Sequence, residues 1–167
     1  GAGVGGRVRG VGGGRGGGVG EGGEEVGGGG GWDGRGGGEG GGRRVQELQS
    51  LGIRTSLFMD PDPQQIRLAA QTGTDRIELY TETYARAFRT ADDLEHVFQQ
   101  FVRAAEVAVD EGLGLNAGHD LDLNNLPRFA PIAGLREVSI GHHLTVDAIR
   151  IGLADAVSAY QRALGTG

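Results

Sequence analysis

The sequence predicts an α/β fold in which four β-α units form one parallel sheet, behind a glycine-rich segment without regular structure. Three observations carry this expectation. Residues 1–42 use only seven residue types and show neither the helical nor the strand period. From Arg43 onward, short runs of strand composition alternate with amphipathic helical runs. The connections are a few residues long and rich in Gly, Pro, Asn and Asp, which implies right-handed crossovers between parallel strands.

Most of the 36 glycines among the 167 residues lie before residue 43, where the other residue types are Ala, Val, Arg, Glu, Asp and Trp. Such a segment buries too little apolar surface to offset its ordering entropy, and Gly makes that entropy largest. Residues 1–42 are therefore expected to be disordered. Two origins fit. One is a flexible linker or low-complexity tail. The other is an incomplete or frame-shifted reading of GC-rich DNA, because all seven types have G-rich codons and the chain does not begin with Met. Residues 43–167 are expected to form the domain, a normal size for one small core.

Within that domain, Val45 to Leu51 reads as the end of an amphipathic helix stopped by Gly52. Ile53 to Met59 has strand composition and runs into the turn residues Asp60-Pro61-Asp62-Pro63. Gln64 to Gln71 is a short helix followed by Gly73, and Arg76 to Tyr80 is the second strand. Asp92 to Asp110 is a long helix, with Leu94, Val97, Phe98, Phe101, Val102, Ala105 and Val109 at i, i+3, i+4 spacing. Leu115 to Gly118 is the third strand, Asn124 to Ile132 holds a short helical piece, and Glu137 to Ile140 is the fourth strand. Thr145 to Leu164 is a closing amphipathic helix. Four such units fit part of a doubly wound sheet or half of a (β/α)8 TIM barrel. No Gly-x-Gly-x-x-Gly follows a strand after Arg43, which favours the half-barrel.

The composition excludes several function classes. A net charge of −6 argues against nucleic acid or an anionic membrane as the main partner, while leaving room for a local phosphate pocket. Without cysteine there is no disulfide framework, thiolate nucleophile or Cys-based zinc site. No run approaches the ~18 apolar residues of a membrane span, and the amino terminus has no apolar signal region. A cytoplasmic protein is the expectation.

Catalytic groups of barrels stand at the carboxyl ends of strands. On Arg76–Tyr80, Ile77 and Leu79 share one face and Glu78 and Tyr80 the other, so Glu78 is expected to point into the barrel. It reads either as a structural ion-pair partner or as a carboxylate acting on substrate. His119 follows Gly118 where strand becomes loop, and an imidazole there can give or take a proton near neutral pH. A structural or merely exposed His is the alternative. Gly141 and His142 repeat the Gly-His arrangement one unit later, where barrels hold phosphate at a helix N-terminus. His143 and His96 read as solvated, and Asp60, Asp62, Asp92 and Asp93 as turn and cap residues. A divalent-metal set of Glu78, His119, Asp120, Asp122 and His142 is disfavoured, because no HExxH or close His pair on one helix face supports it.

In order, SLFMDPD (56–62), RIELYTETYA (76–85), LNAGHDL (115–121) and EVSIGHHL (137–144) resemble the carboxyl-terminal half of the pyridoxine 5′-phosphate synthase family. The resemblance runs from about Arg44 to Leu164; AGHDL followed some twenty residues later by IGH is its specific part. It implies a (β/α)8 barrel and a homo-octamer. It also implies condensation of 1-deoxy-D-xylulose 5-phosphate with 3-amino-2-oxopropyl phosphate, releasing phosphate and water, in vitamin B6 biosynthesis. By motif, His119 is similar to the family's proton donor and Glu78 to the carboxylate that stabilises the transition state. Asp120 matches a contact to 3-amino-2-oxopropyl phosphate, expected through its backbone N–H, and Gly141 and His142 match the pair that binds the same substrate's phosphate. No metal or organic cofactor is implied.

The family's first four strands also supply an Asn-x-Asp-His motif, a His-Leu-Arg-Glu-Asp-Arg-Arg-His segment and an Asn-Leu-Glu motif, with two proton acceptors among them. None of these occurs here. The polypeptide as written is therefore expected to be inactive and poorly folded alone. Two other readings stay open: a non-catalytic half-barrel that binds a phosphorylated metabolite or pairs with a second copy, and another phosphate-handling barrel enzyme. A Schiff-base aldolase is disfavoured, since the chain after Arg43 has no lysine.

Overall fold

The computed structural model describes residues 7–9, 23–26 and 38–165, with side chains from residue 41 onward. Two short strands, β1 (Arg7–Arg9) and β2 (Gly23–Val26), precede helix α1 (Gly38–Ser50). Then follow β3 (Arg54–Met59), α2 (Pro63–Gln71), β4 (Arg76–Tyr80), α3 (Glu82–Thr90) and α4 (Leu94–Asp110). The chain continues through β5 (Gly114–Gly118), α5 (Leu126–Phe129), β6 (Leu135–Ser139), α6 (His142–Ile151) and α7 (Leu153–Ala163).

Strands β3, β4, β5 and β6 are neighbours in chain order and all parallel. A doubly wound sheet reverses its order at a switch point. Consecutive order with right-handed crossovers instead puts every helix on one face, which is the wall of a barrel. The expected half-barrel is what the described residues form. Its outer face supplies the core: Leu57 and Met59, Ile77 and Leu79, Leu115 and Ala117, and Leu135 and Val138 pack against Ile66, Ala69, Phe101, Ala105 and Phe129 of the helices. Each Leu, Ile, Val, Met or Phe among them, fully buried, contributes roughly 1.5–3 kcal/mol, and the alanines less.

Local signals set the element ends. Asp62 caps α2 by accepting from the Gln64 N–H at 2.8 Å, with Pro63 at the first helical position. After α1, Gly52 takes φ 76, a left-handed geometry that only Gly adopts without cost.

The elements differ from the sequence reading in three places, and Val109, on the expected apolar stripe of the long helix, is exposed. Helix α3 was not foreseen: Tyr84, Ala85 and Ala87 are buried, and Tyr84 packs on Phe88, Phe98, Phe101 and Phe129. The closing helix begins earlier, at His142, and is broken in two at Gly152, whose φ of 86 and ψ of 148 leave the helical region. The expected disorder of residues 1–42 falls largely outside the described residues. Within that segment, β1 pairs with β6 and β2 with β3, at the two edges of the sheet. An open edge offers unpaired N–H and C=O groups, and these bind extended chain without asking for particular side chains.

Candidate active site at the carboxyl ends of the strands

The concave face of the sheet is polar, and β5 is its low point. Gly114 and Gly118 both face it, and a β4 side chain crosses over each. A Cβ at Gly114 would stand 2.7 Å from Cγ of Arg76. Arg76 passes over it to pair with Glu137 of β6 at 2.9 Å and donates to Asn116 Oδ1 at 3.1 Å. Arg54 reaches the same carboxylate at 3.6 Å. A Cβ at Gly118 would overlap the Glu78 carboxylate. Glu78 passes over that glycine, and its Oε2 accepts from the Ser139 hydroxyl at 3.2 Å. Glu78 is 5% exposed. A carboxylate so far from water needs donors, and Ser139 supplies one.

At the rim, the chain leaves β5 through His119 at φ 85 and Asp120 at φ 56, two consecutive left-handed residues. Non-glycine residues hold that geometry only where their surroundings fix it. The His119 ring meets Tyr80 at 4.8 Å, near-perpendicular, and Phe58 at 5.7 Å; Phe58 and Tyr80 meet at 5.4 Å. Three successive strand ends thus converge on one imidazole, whose outer side is exposed.

One strand further on, Gly141 precedes α6 without a side-chain cap, and the first helical bond runs from the Thr145 N–H to the Gly141 carbonyl at 3.1 Å. The N–H groups of His142, His143 and Leu144 precede that bond and form the positive end of the helix dipole. His142 is exposed and His143 half-buried, the reverse of the expectation that His143 is the more solvated. Their rings meet at 5.3 Å. Among the described residues, no hydrogen bond or ring contact joins His119 to His142, though both leave adjacent strands at the same end.

The structure therefore gathers Glu78, His119, Asp120, Gly141 and His142 on one rim. Among the described residues, no group of three or more His, Asp or Glu side chains is arranged to hold a metal ion. A groove of about 850 Å³ between the β3–α2 turn, α3 and α4 contains none of these five; Asp60, Arg86, Asp92 and Arg103 line it. Phe58, Tyr80, Thr81 and Ser139 touch the site but were not singled out from sequence. Alternation puts Phe58, Tyr80 and Ser139 on the inward face of β3, β4 and β6, but it does not show what they touch, and Thr81 lies just past β4 with no such signal. None of the described helices is long and apolar enough to cross a membrane.

Residues 19–166 match the family described as "Pyridoxal phosphate biosynthesis protein PdxJ". The chain belongs to the PdxJ family. Curated relatives agree. The chain is similar to the pyridoxine 5′-phosphate synthase of Porphyromonas gingivalis, 49% identical over 120 residues that cover 71% of this chain and 50% of the relative. The synthase of Rhizobium meliloti is 46% identical over 127 residues, 74% of this chain and 51% of its own length. That of Parabacteroides distasonis is 49% identical over 123 residues, 73% and 51% of the respective lengths. The chain spans about half the length of the PdxJ relatives it matches, and its four sequential strands are half of that family's barrel.

Proposed function

We propose that residues 43–167 carry the carboxyl-terminal half of a pyridoxine 5′-phosphate synthase active site. One observation supports this above the rest: Glu78, His119 and the start of α6 stand on successive strand ends of a singly wound sheet. In this reading His119 donates the proton that lets water leave as the pyridine ring closes, a task suited to imidazole. Buried Glu78 offsets the positive charge that develops as the substrate amine condenses with a carbonyl. The Asp120 N–H holds 3-amino-2-oxopropyl phosphate, and Gly141 and His142 bind its phosphate at the positive end of α6. The reaction calls for no metal or organic cofactor. The substrates are small phosphorylated molecules and the setting is the cytoplasm, within a homo-oligomer.

The family's two proton acceptors have no counterpart in residues 43–167. The chain alone is therefore inactive and marginally stable, and activity requires the other half of the barrel. The test is to incubate the purified chain with both substrates, alone and with the amino-terminal half of a PdxJ relative, and to follow pyridoxine 5′-phosphate. Product is expected only when both halves are present, and it is abolished by His119→Asn. Product from the chain alone overturns the inactivity. Two halves that associate yet form no product overturn the synthase reading.

A further inference from the structure

The turn that carries His119 and Asp120 is held in place by a residue with no assigned part in the chemistry. Thr81, fully buried at the end of β4, donates its N–H to the Gly118 carbonyl at 2.9 Å. Its hydroxyl lies 2.6 Å from the same carbonyl oxygen and makes a second, shorter contact with the His119 carbonyl oxygen. One hydroxyl proton is shared between two acceptors, so both carbonyls are drawn towards one point. Those are the carbonyls flanking His119, the first of the two left-handed residues.

The direction of the next donor follows from peptide geometry. In a planar trans peptide the C=O and the following N–H point opposite ways. With the His119 carbonyl turned to Thr81, the Asp120 N–H is turned away from it. Among the described residues, no hydrogen bond engages that N–H. The far side of the turn is fixed independently. Buried Asn125 donates to the Asp120 carbonyl at 3.0 Å and accepts from the Asp122 N–H at 2.9 Å.

We propose that Thr81 is a positioning residue: its hydroxyl holds His119 and Asp120 left-handed, which packs the imidazole on Tyr80 and presents the Asp120 N–H to a phosphorylated ligand. The ligand part rests on the reading of this rim as a phosphate-substrate site. The hold on the turn does not.

Thr81→Val removes the hydroxyl and keeps the shape, whereas Thr81→Ser keeps the hydroxyl. Two readouts on the isotopically labelled full chain separate the claims. The first needs no ligand: the one-bond Cα–Hα couplings of His119 and Asp120, which are reduced in left-handed residues. They should be reduced in the parent and in Thr81→Ser and return to ordinary values in Thr81→Val, while amide signals of α4 and α7 stay in place. The second is titration with inorganic phosphate: the Asp120 amide shift should weaken about tenfold in Thr81→Val and within about twofold of the parent in Thr81→Ser. A parent without the left-handed signature, a Thr81→Val that keeps it, or a Thr81→Ser as impaired as Thr81→Val overturns the proposal. A parent that shows the signature but ignores phosphate overturns the ligand reading and leaves the hold on the turn standing.

Discussion

The carboxylate of Glu78 lies where a side chain at Gly118 would have to stand. Gly118 is not among the residues of positive φ, so its missing side chain makes room for the acid, and its substitution should be read through Glu78. A Cβ at position 118 would also come within 3.0 Å of Ser139 Cβ and 3.2 Å of the Ser139 carbonyl oxygen. Gly118→Ala is expected to cost about 1–3 kcal/mol, the range for overpacking a filled site. In a Glu78→Ala background the same change should cost markedly less. Chemical denaturation of the four members of the cycle measures this coupling, and strict additivity would remove the link between the two residues.

The crossing at Gly114 holds a second pair. Arg76 and Glu137 are 14% and 15% exposed, at 2.9 Å. Glu137→Ala strands Arg76 on the concave face beside Arg54, and should cost about 2–4 kcal/mol, as for a pair broken from one side in a largely dry site. The double change Arg76→Met with Glu137→Leu should recover much of that loss. Urea unfolding midpoints with unchanged slopes report the comparison directly.

At the amino end of the sheet, Asp75 ties β3 to α1. Burial pulls its carboxyl upward, but the Thr55 N–H at 2.8 Å, Gln49 Nε2 at 3.1 Å and the Thr55 hydroxyl at 3.0 Å outweigh that, so it is held below the ordinary 3.8. The unfolded chain then binds this proton more readily than the folded one. The stabilisation is complete above the unfolded value and is lost as pH falls through the lowered folded value. Asp75→Asn should flatten the stability profile below pH 3.8 and leave its shape near neutrality unchanged, as thermal melts across acid pH would show.

Tyr84 gives the opposite edge of the pH range. Burial first, and Asp122 second, push its hydroxyl up to about 12 against a lowering by Arg128, and the hydroxyl donates to the Asn125 carbonyl at 2.8 Å. A raised folded value means stability is fully present below the ordinary 10.0 and declines as pH rises from there towards 12. Tyr84→Phe should cost about 1 kcal/mol at neutral pH through the orphaned carbonyl. It should also lose less stability than the parent between pH 10 and 12, measured by alkaline denaturation followed by far-ultraviolet circular dichroism.

The strands of the half-barrel and the strand-end positions of Glu78, His119 and Gly141 were legible because they rest on local signals. A two-residue alternation placed Glu78 opposite Ile77 and Leu79, and glycine before histidine marked where strands end. Helix α3 carried its signal too, since Tyr84, Ala87 and Phe88 are at i, i+3, i+4 spacing, but Arg86 between them and Glu82 and Arg89 on either side hid it. Thr81 and Ser139 were not legible. Their partners lie 37 and 61 residues away, and only the register between strands brings a hydroxyl to a particular carbonyl or carboxylate. The same holds for Phe58 and Tyr80 around His119.

The two glycines of β5 have a mechanical consequence. Arg76 with Glu137, and Glu78 with Ser139, each fasten β4 to β6 over a strand that offers no bulk beneath the fastening. Such ties pull only on the inner face, while full-sized Leu79, Leu115 and Val138 fill the outer face. A sheet drawn together on one side and filled on the other bends towards the ties. The inward curvature of a closed cylinder is thus already written into these three strands, before any second half arrives to complete it.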